Sequence, residues 1–330
     1  MAKVSIITAL YNHERYIAQA IESVIAQTFS DWEHLIWDDG STDKSLSIAQ
    51  EYARRYPEKI KVFSHPSQAN RGQENTRNCA LEKASGELLC LLDSDDMYLP
   101  RKLELLVPCF QDPEVGLAYG VVEHYIESTG KVVPSGISKF HQGKAFEPLL
   151  AENFLGASAT LFRRECVAKG LRFDPSFKTI GEYPLWLKIA RDWKVSFVAE
   201  PVSRWRCHTN NLGKKLELQA KQELVTFFER LGKDTAYKAF SKDVARALAK
   251  RRYDYAAELH SILDLEESRI QCAAALTAFE ASPSVRGKAA LLFLVSLLGK
   301  KANLFVARLK RGLWHALHPV LASSKSTKLK

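Results

Sequence analysis

Two groups of carboxylates in this chain have the type and spacing to do chemistry. Asp93, Asp95 and Asp96 stand within four residues in Leu91-Leu92-Asp93-Ser94-Asp95-Asp96, at the end of the apolar run Leu88 to Leu92. Asp38 and Asp39 open Asp38-Asp39-Gly40-Ser41-Thr42-Asp43, after the run Trp32 to Trp37. Short apolar runs of this kind read as buried strands, so both acid groups fall at strand carboxyl ends. Open α/β sheets bind their ligands there. Acids crowded at such an edge repel one another unless a cation or solvent separates them, and a hard divalent ion that also binds phosphate oxygens resolves the conflict. On DxDD alone a solvated acidic turn, capping the helix after Pro100, explains the same residues, and both readings stay open.

The elements that must position these acids follow from periodicity. Val4 to Leu10 is a β-rich run, and Ile17, Ile21, Val24 and Ile25 keep helical spacing within Glu14 to Gln27. After the second strand, Leu46, Ala49, Ala53 and Tyr56 line one helix face, and Lys59 to Ser64 reads as a third strand. A polar loop, Gln68 to Glu74, leads into a helix near Asn75 to Lys83, and the fourth strand follows. Further on, Val115 to Ile126 and Lys131 to Val133 read as a hairpin and Ala157 to Phe162 as a strand. Strands alternating with helices predict an α/β class with a mostly parallel sheet. Neither GxGxxG nor GxxxxGK[ST] occurs, so dinucleotide and P-loop readings have no motif behind them. An acidic pocket binds a diphosphate only with Mg²⁺ or Mn²⁺ present, because the metal inverts the local charge.

Composition narrows the class. The chain has 330 residues, enough for one large domain or two, with ordinary apolar and charged fractions. Its six cysteines are scattered without a CxxC pair, which argues against a zinc ribbon and fits reduced cytoplasmic thiols. The start, MAKVSIITALYN, enters a strand almost at once, so no secretory leader is expected. Of the +9 formal charge, ten Lys and Arg and no Asp or Glu lie in residues 281–330, leaving the rest close to neutral. A nucleic-acid groove in the main body is therefore not expected.

Six segments in order now give a resemblance: VSIITALYN at 4–12, DDGSTD at 38–43, NRGQENTRN at 70–78, ASGELLCLLDSDDMYLP at 84–100, GEYPLWLKIA at 181–190 and WRCH at 205–208. Over roughly residues 3–210 the chain resembles the family 2 glycosyltransferases, inverting enzymes of GT-A type fold found in bacterial cell-surface polysaccharide assembly. The resemblance implies transfer of a sugar from a nucleotide diphosphate, a UDP-sugar being favoured, to a hydroxyl of a glycan or lipid-linked glycan acceptor. It implies nucleotide contacts from Thr8, Tyr11, Asp39, Arg71, Arg77, Asp93 and Ser94, and Mn²⁺ or Mg²⁺ held by Asp93, Asp95 and His208, with Asp96 able to share the task. Arg71 and Arg77 equally suit structural ion pairs, and Tyr11 and Thr8 equally suit shaping the turn. Thr76 replaces the small Ala common before Arg77.

Glu182 is the general base that the resemblance implies. The family's acidic pair falls on Gly181 and Glu182, and Pro184 stands at another commonly acidic position. The usual Asp becomes Glu, whose extra methylene changes its reach. These departures are the support for an alternative, a catalytically silent nucleotide-sugar-binding or scaffold protein on the same fold. Arg204-Trp205 resembles the QxxRW of polymerising synthases, but Pro201 stands in place of the Gln. That departure favours one or few sugar additions.

The resemblance fades after His208, giving an expected catalytic domain over 1–213 and a helical C-terminal extension over 214–330. Within the extension, Ala289 to Leu298 is too short to span a bilayer. From Lys301 onward Phe305, Leu309, Leu313 and Leu317 share one helix face, and Lys301, Arg308, Arg311 and His315 the other. This basic amphipathic tail, about 286–330, suits an anionic membrane surface and hence a cytoplasmic enzyme held peripherally at the inner face of the cell membrane. Packing on the protein is the competing use of the same face.

Overall fold

The computed structural model describes residues 3–135, 139–168, 170–209, 211 and 216–298. The chain divides into two compact units, Met1–His208 and Thr209–Lys330.

The first unit is built on one mixed sheet of nine strands. These are β1 (Val4–Leu10), β2 (Trp32–Asp38), β3 (Ile60–Ser64), β4 (Leu88–Leu91), β5 (Met97–Tyr98), β6 (Val115–Ile126), β7 (Lys131–Pro134), β8 (Thr160–Arg163) and β9 (Lys194–Cys207). Its helices are α1 (Ile17–Ile25), α2 (Ser45–Arg55), α3 (Gln73–Lys83), α4 (Lys102–Leu106), α5 (Phe146–Ala151), α6 (Glu165–Ala168) and α7 (Glu182–Asp192). The spatial order is β3-β2-β1-β4-β8-β6-β9-β5, with β7 paired to β6. The first four strands in this order run parallel, as their alternation with helices requires. From β4 onward the directions mix: β8 is antiparallel to β4 and to β6, whereas β9 is parallel to β6.

The chain leaves β1 to build β2 on one side and returns to build β4 on the other. The carboxyl ends of β1 and β4 therefore face a topological switch point, where a crevice opens in such sheets. Both strands are buried along nearly their whole length, which accounts for their continuous apolar runs. Ile6, Leu10, Ile17, Ile21, Val24, Ile36 and Leu88 belong to one core cluster beneath this edge. Each such side chain contributes about 1.5–3 kcal/mol on burial, so the edge rests on a rigid floor. All six cysteines are free thiols.

The second unit contains α8 (Glu217–Lys233), α9 (Ser241–Ser261), α10 (Leu265–Thr277) and α11 (Pro283–Ser296). Val225, Tyr255 and Leu259 form one of its clusters, and Ala256, Cys272 and Leu292 another. The first part of the expected tail is therefore a core helix of this unit, because α11 buries Ala289 and Leu292. The amphipathic stretch from Lys301 onward lies outside the described residues. Among the described residues, no helix is long and apolar enough to cross a membrane.

Candidate active site

The ends of β1 and β2 are tied together by their own turn residues. Asn12 takes a left-handed conformation with φ 51°, which Asn tolerates better than most residues, and its Oδ1 accepts the Thr42 amide at 2.8 Å. The His13 amide donates to Ser45 Oγ at 2.7 Å, and Asp43 accepts the amides of Glu14 and Ser45. Asp38 accepts the amides of Gly40 and Ser41 at 3.1 and 3.0 Å, so the first Asp of DDGSTD builds the turn. Asp39 accepts the Arg71 amide at 2.7 Å and the Gly72 amide at 3.0 Å. Its carboxylate thus fastens the 69–72 loop over the end of β2, and Arg71 enters the site through its backbone. His65 lies 3.5 Å from Asp39 and 2.9 Å from Thr76 Oγ1, which gives the unusual Thr76 a purpose.

Thr8 lies in the last half of β1. Its hydroxyl donates to the Leu92 carbonyl at 2.8 Å, sits 2.9 Å from His34 Nε2 and is fully buried. It joins β1 to the end of β4, the structural use of this residue. Tyr11, by contrast, is 46% exposed just past β1, where its ring is open to a flat partner.

The acid turn after β4 separates three carboxylates by environment. Asp93 Oδ1 receives Arg77 Nη2 at 2.7 Å and Gln73 Nε2 at 3.4 Å. Asp95 Oδ2 lies 2.9 Å from His208 Nε2, with the Asp95 side chain 15% exposed. Burial works to raise the Asp95 carboxyl, but the His208 hydrogen bond and nearby His13 hold it below its ordinary value. Asp96 accepts Ser158 Oγ at 2.8 Å and the Arg206 amide at 3.0 Å. Burial, with Asp95 and Asp93 beside it, pushes Asp96 well above the ordinary range. Asp96 is thereby a buried anchor of the turn. Ser94 is also buried, with its hydroxyl 2.7 Å from His13 Nδ1.

These positions refine the expected metal set. Among the described residues, no three His, Cys, Asp or Glu converge on one cation site, and Asp93 is committed to Arg77. Asp95 and His208 form an adjacent oxygen and nitrogen pair with one member partly exposed. Such a pair suits Mn²⁺ or Mg²⁺ when phosphate oxygens and water complete the sphere.

Arg77 is the hub of the site. Besides Asp93, its Nη1 reaches Glu74 Oε1 at 2.9 Å and Glu182 Oε2 at 3.4 Å, and the guanidinium is buried. A buried charge is kept only when paired, and three carboxylates surround this one. The ion-pair alternative therefore describes Arg77. Glu182 opens α7, with its side chain 23% exposed. Burial raises its carboxyl above the ordinary value; Arg77 opposes the rise and Asp93 adds to it. Asn78 locks the approach to α7 by giving its Nδ2 to the Phe173 carbonyl at 2.9 Å and accepting the Phe173 amide at 3.0 Å.

The sequence and the fold that carry this site have counterparts among known proteins. The Glycosyl transferase family 2 model matches residues 5–171. The chain belongs to glycosyltransferase family 2. It spans about half the length of the first curated relatives it matches, 54% and 49%. It is 30% identical over 195 residues to the Escherichia coli protein WfgD, a UDP-Glc:α-D-GlcNAc-diphosphoundecaprenol β-1,3-glucosyltransferase, covering 59% of this chain and 72% of WfgD. Staphylococcus aureus TarS 1–349 with UDP-GlcNAc matches at TM-score 0.68 and 18% identity, over 89% of this chain and 90% of that one. The mannosyltransferase PcManGT of Pyrobaculum calidifontis, with GDP-Man and Mn²⁺, matches at TM-score 0.61 and 19% identity, over 95% and 87%. Both structures share the GT-A fold of this family 2 chain.

Several residues of the candidate site were not singled out from the sequence. Gln73, Ser158 and Arg206 bond to the acids of the turn, Glu74 reaches them through Arg77 and His13 through Ser94, yet none belongs to an acidic or metal-ligand pattern. Arg206 offered the best signal, standing two residues before His208; its Nε donates to the Asp95 carbonyl at 2.9 Å. The others are joined to the acids by tertiary folding alone.

Proposed function

We propose that this family 2 chain is a metal-dependent inverting glycosyltransferase, moving a sugar from a nucleotide-diphosphate donor, by preference a UDP-sugar, to an acceptor hydroxyl in polysaccharide or glycolipid assembly. The observation that carries the reading is Arg77, which binds Asp93 of the acid turn at 2.7 Å and lies 3.4 Å from Glu182 of α7. A base and a diphosphate-facing turn are thereby held in one frame, as a single displacement requires. WfgD, named for UDP-Glc and a lipid-linked acceptor, supports the donor and acceptor class. PcManGT, solved with Mn²⁺, supports the metal.

In this reading Tyr11 stacks on the nucleoside base, and Asp39 accepts from the base while holding the 69–72 loop. Asp95 and His208 would hold Mn²⁺ or Mg²⁺, which would supply positive charge for the departing diphosphate. The acceptor oxygen forms a bond to the anomeric carbon from the face opposite the diphosphate. The old carbon–oxygen bond breaks, and its electron pair leaves with the nucleotide. Glu182 takes the proton of the acceptor hydroxyl. Its raised carboxyl makes it a stronger base than an exposed Glu. The catalytic unit extends over 1–213, and the basic tail holds the enzyme at the cytoplasmic face of the membrane, where lipid-linked acceptors are presented.

The test is nucleotide release from UDP-glucose, UDP-GlcNAc and GDP-mannose, with and without Mn²⁺ and with water as acceptor. A silent binding protein releases none. Asp95→Ala should retain native circular dichroism and lose Mn²⁺-dependent affinity for the donor. Unchanged Mn²⁺-dependent affinity in that variant would remove the metal assignment.

A further inference from the structure

Gly181, immediately before the proposed base, has its missing side chain replaced from elsewhere in the fold. A Cβ built on Gly181 would lie 2.0 Å from both Cδ and Oε1 of Glu74. No real Cβ tolerates that distance, and the obstacle is a carboxylate gripped by Arg77 rather than a freely swinging chain end. Glu74 is itself buried on α3, and its Oε2 has no hydrogen-bond partner among the described residues. Burying an acid in this way is costly, so its place calls for a function. The groups facing it are Arg77 on its own helix, Asp93 at the end of β4 and Glu182 on α7. Glu182 in turn faces Arg77 and Asp93.

We propose that Glu74 is a positioning residue for Glu182, admitted by Gly181, which holds Arg77 Nη1 and so keeps the guanidinium from closing on the base. The contact lengths carry this. Nη1 gives its 2.9 Å bond to Glu74 and reaches Glu182 only at 3.4 Å. A guanidinium released from Glu74 can turn to Glu182 and pair with it in the short two-bond geometry that Arg and carboxylates favour. That pairing stabilises the carboxylate, lowers its proton affinity and weakens it as a base. The acid implied at position 181 is absent, and an acid from α3 stands in its space instead. The role rests on Glu182 being the base, as proposed above.

The test is the pH dependence of Mn²⁺-supported UDP-glucose hydrolysis by the full chain, with UDP-GlcNAc and GDP-mannose as further donors. Glu74→Ala should lower kcat about tenfold, leave KM for the donor within about twofold and move the acid limb down by about one pH unit. Glu74→Gln, whose amide oxygen still accepts from Nη1, should restore the limb. Glu74→Ala/Gly181→Asp, which returns a carboxylate to the same space from the residue before α7, should recover most of kcat. A Glu74→Ala variant with an unmoved acid limb overturns the role, whether kcat falls or not, because a structural loss reduces rate without changing the base. Glu182→Gln separates the two ideas: if it keeps wild-type hydrolysis, the base assignment itself fails. If the unaltered chain hydrolyses none of the three donors, the base reading and the Glu74 role fall together.

Discussion

At the scale of single residues, the site is governed by one guanidinium shared among three acids. Glu182→Gln keeps the shape of the proposed base and removes its proton acceptance, so transfer should fall by ~10²–10⁴-fold with donor affinity retained. Activity within about threefold of wild type would point to another base. Glu182→Asp should also lose activity, because the shorter side chain draws the carboxylate away from Arg77 Nη1, which it meets at 3.4 Å. The rate should decline on acidification at a pH above the ordinary Glu value of 4.5, since burial raises the Glu182 carboxyl. Glu74 gives a separate signature in stability. Burial pushes its carboxyl up to about 7, Glu182 and Asp93 adding to the rise and Arg77 opposing it. Between about 4.5 and 7 the folded protein holds a proton that the unfolded chain has released, so stability falls as pH rises through that window. The accumulated loss approaches ~3 kcal/mol at full ionisation. Glu74→Gln removes this dependence, and its urea midpoint should therefore gain on wild type between pH 5 and pH 8 in metal-free buffer. Parallel midpoints across that range would contradict a buried, proton-holding Glu74.

At the scale of elements, most of the frame was legible because local pattern and burial agree. The continuous apolar run of β1 gave its bounds residue for residue, and β2, β3 and β4 fell within one residue of expectation. Helix starts were less legible: α1 begins at Ile17, since Asn12 and His13 are spent on the turn toward β2. The mixed half of the sheet was hidden, because β8 gains its pairing from β4 and β6 and carries no signal of direction. In the site, the acid turn and Glu182 were legible as motifs. The burial of the Thr8 hydroxyl and the Arg77 hub were not, as their partners lie at positions 34, 74, 92, 93 and 182. Gly40 offers an element-level test. It has φ 78°, and an added Cβ would meet the Gln68 carbonyl at 2.3 Å, with the Asn70 amide nitrogen at 3.0 Å. Gly40→Ala should push the 68–72 loop off Asp39 and destabilise the protein by about 1–3 kcal/mol, with UDP affinity falling as well. Titration calorimetry with UDP and urea unfolding read the two effects, and wild-type values in both would show that the loop does not depend on this contact.

At the scale of the whole molecule, the uneven charge is the feature the catalytic chemistry does not use. The end of α11 carries exposed Leu291 and Leu294, followed by exposed Leu297 and Leu298. Residues 299–330 then add eight Lys and Arg and no acid, interleaved with Phe305, Leu309, Leu313 and Trp314. A basic segment gains ~1 kcal/mol per Lys or Arg near an anionic leaflet, and inserted apolar side chains add to it. Several such residues acting together would account for the proposed peripheral attachment without a membrane span. Because α11 contributes Leu292 to a core cluster with Ala256 and Cys272, a truncation that tests the tail must begin after residue 298. Full-length protein should float with phosphatidylserine-containing vesicles at low salt and release as salt rises, since screening shortens the reach of the charges. The chain lacking 299–330 should stay off the vesicles while hydrolysing donor at the full-length rate. Full-length protein that ignores anionic vesicles at low salt would rule out the membrane role. A truncation that unfolds on removal of the tail would assign residues 299–330 to packing instead.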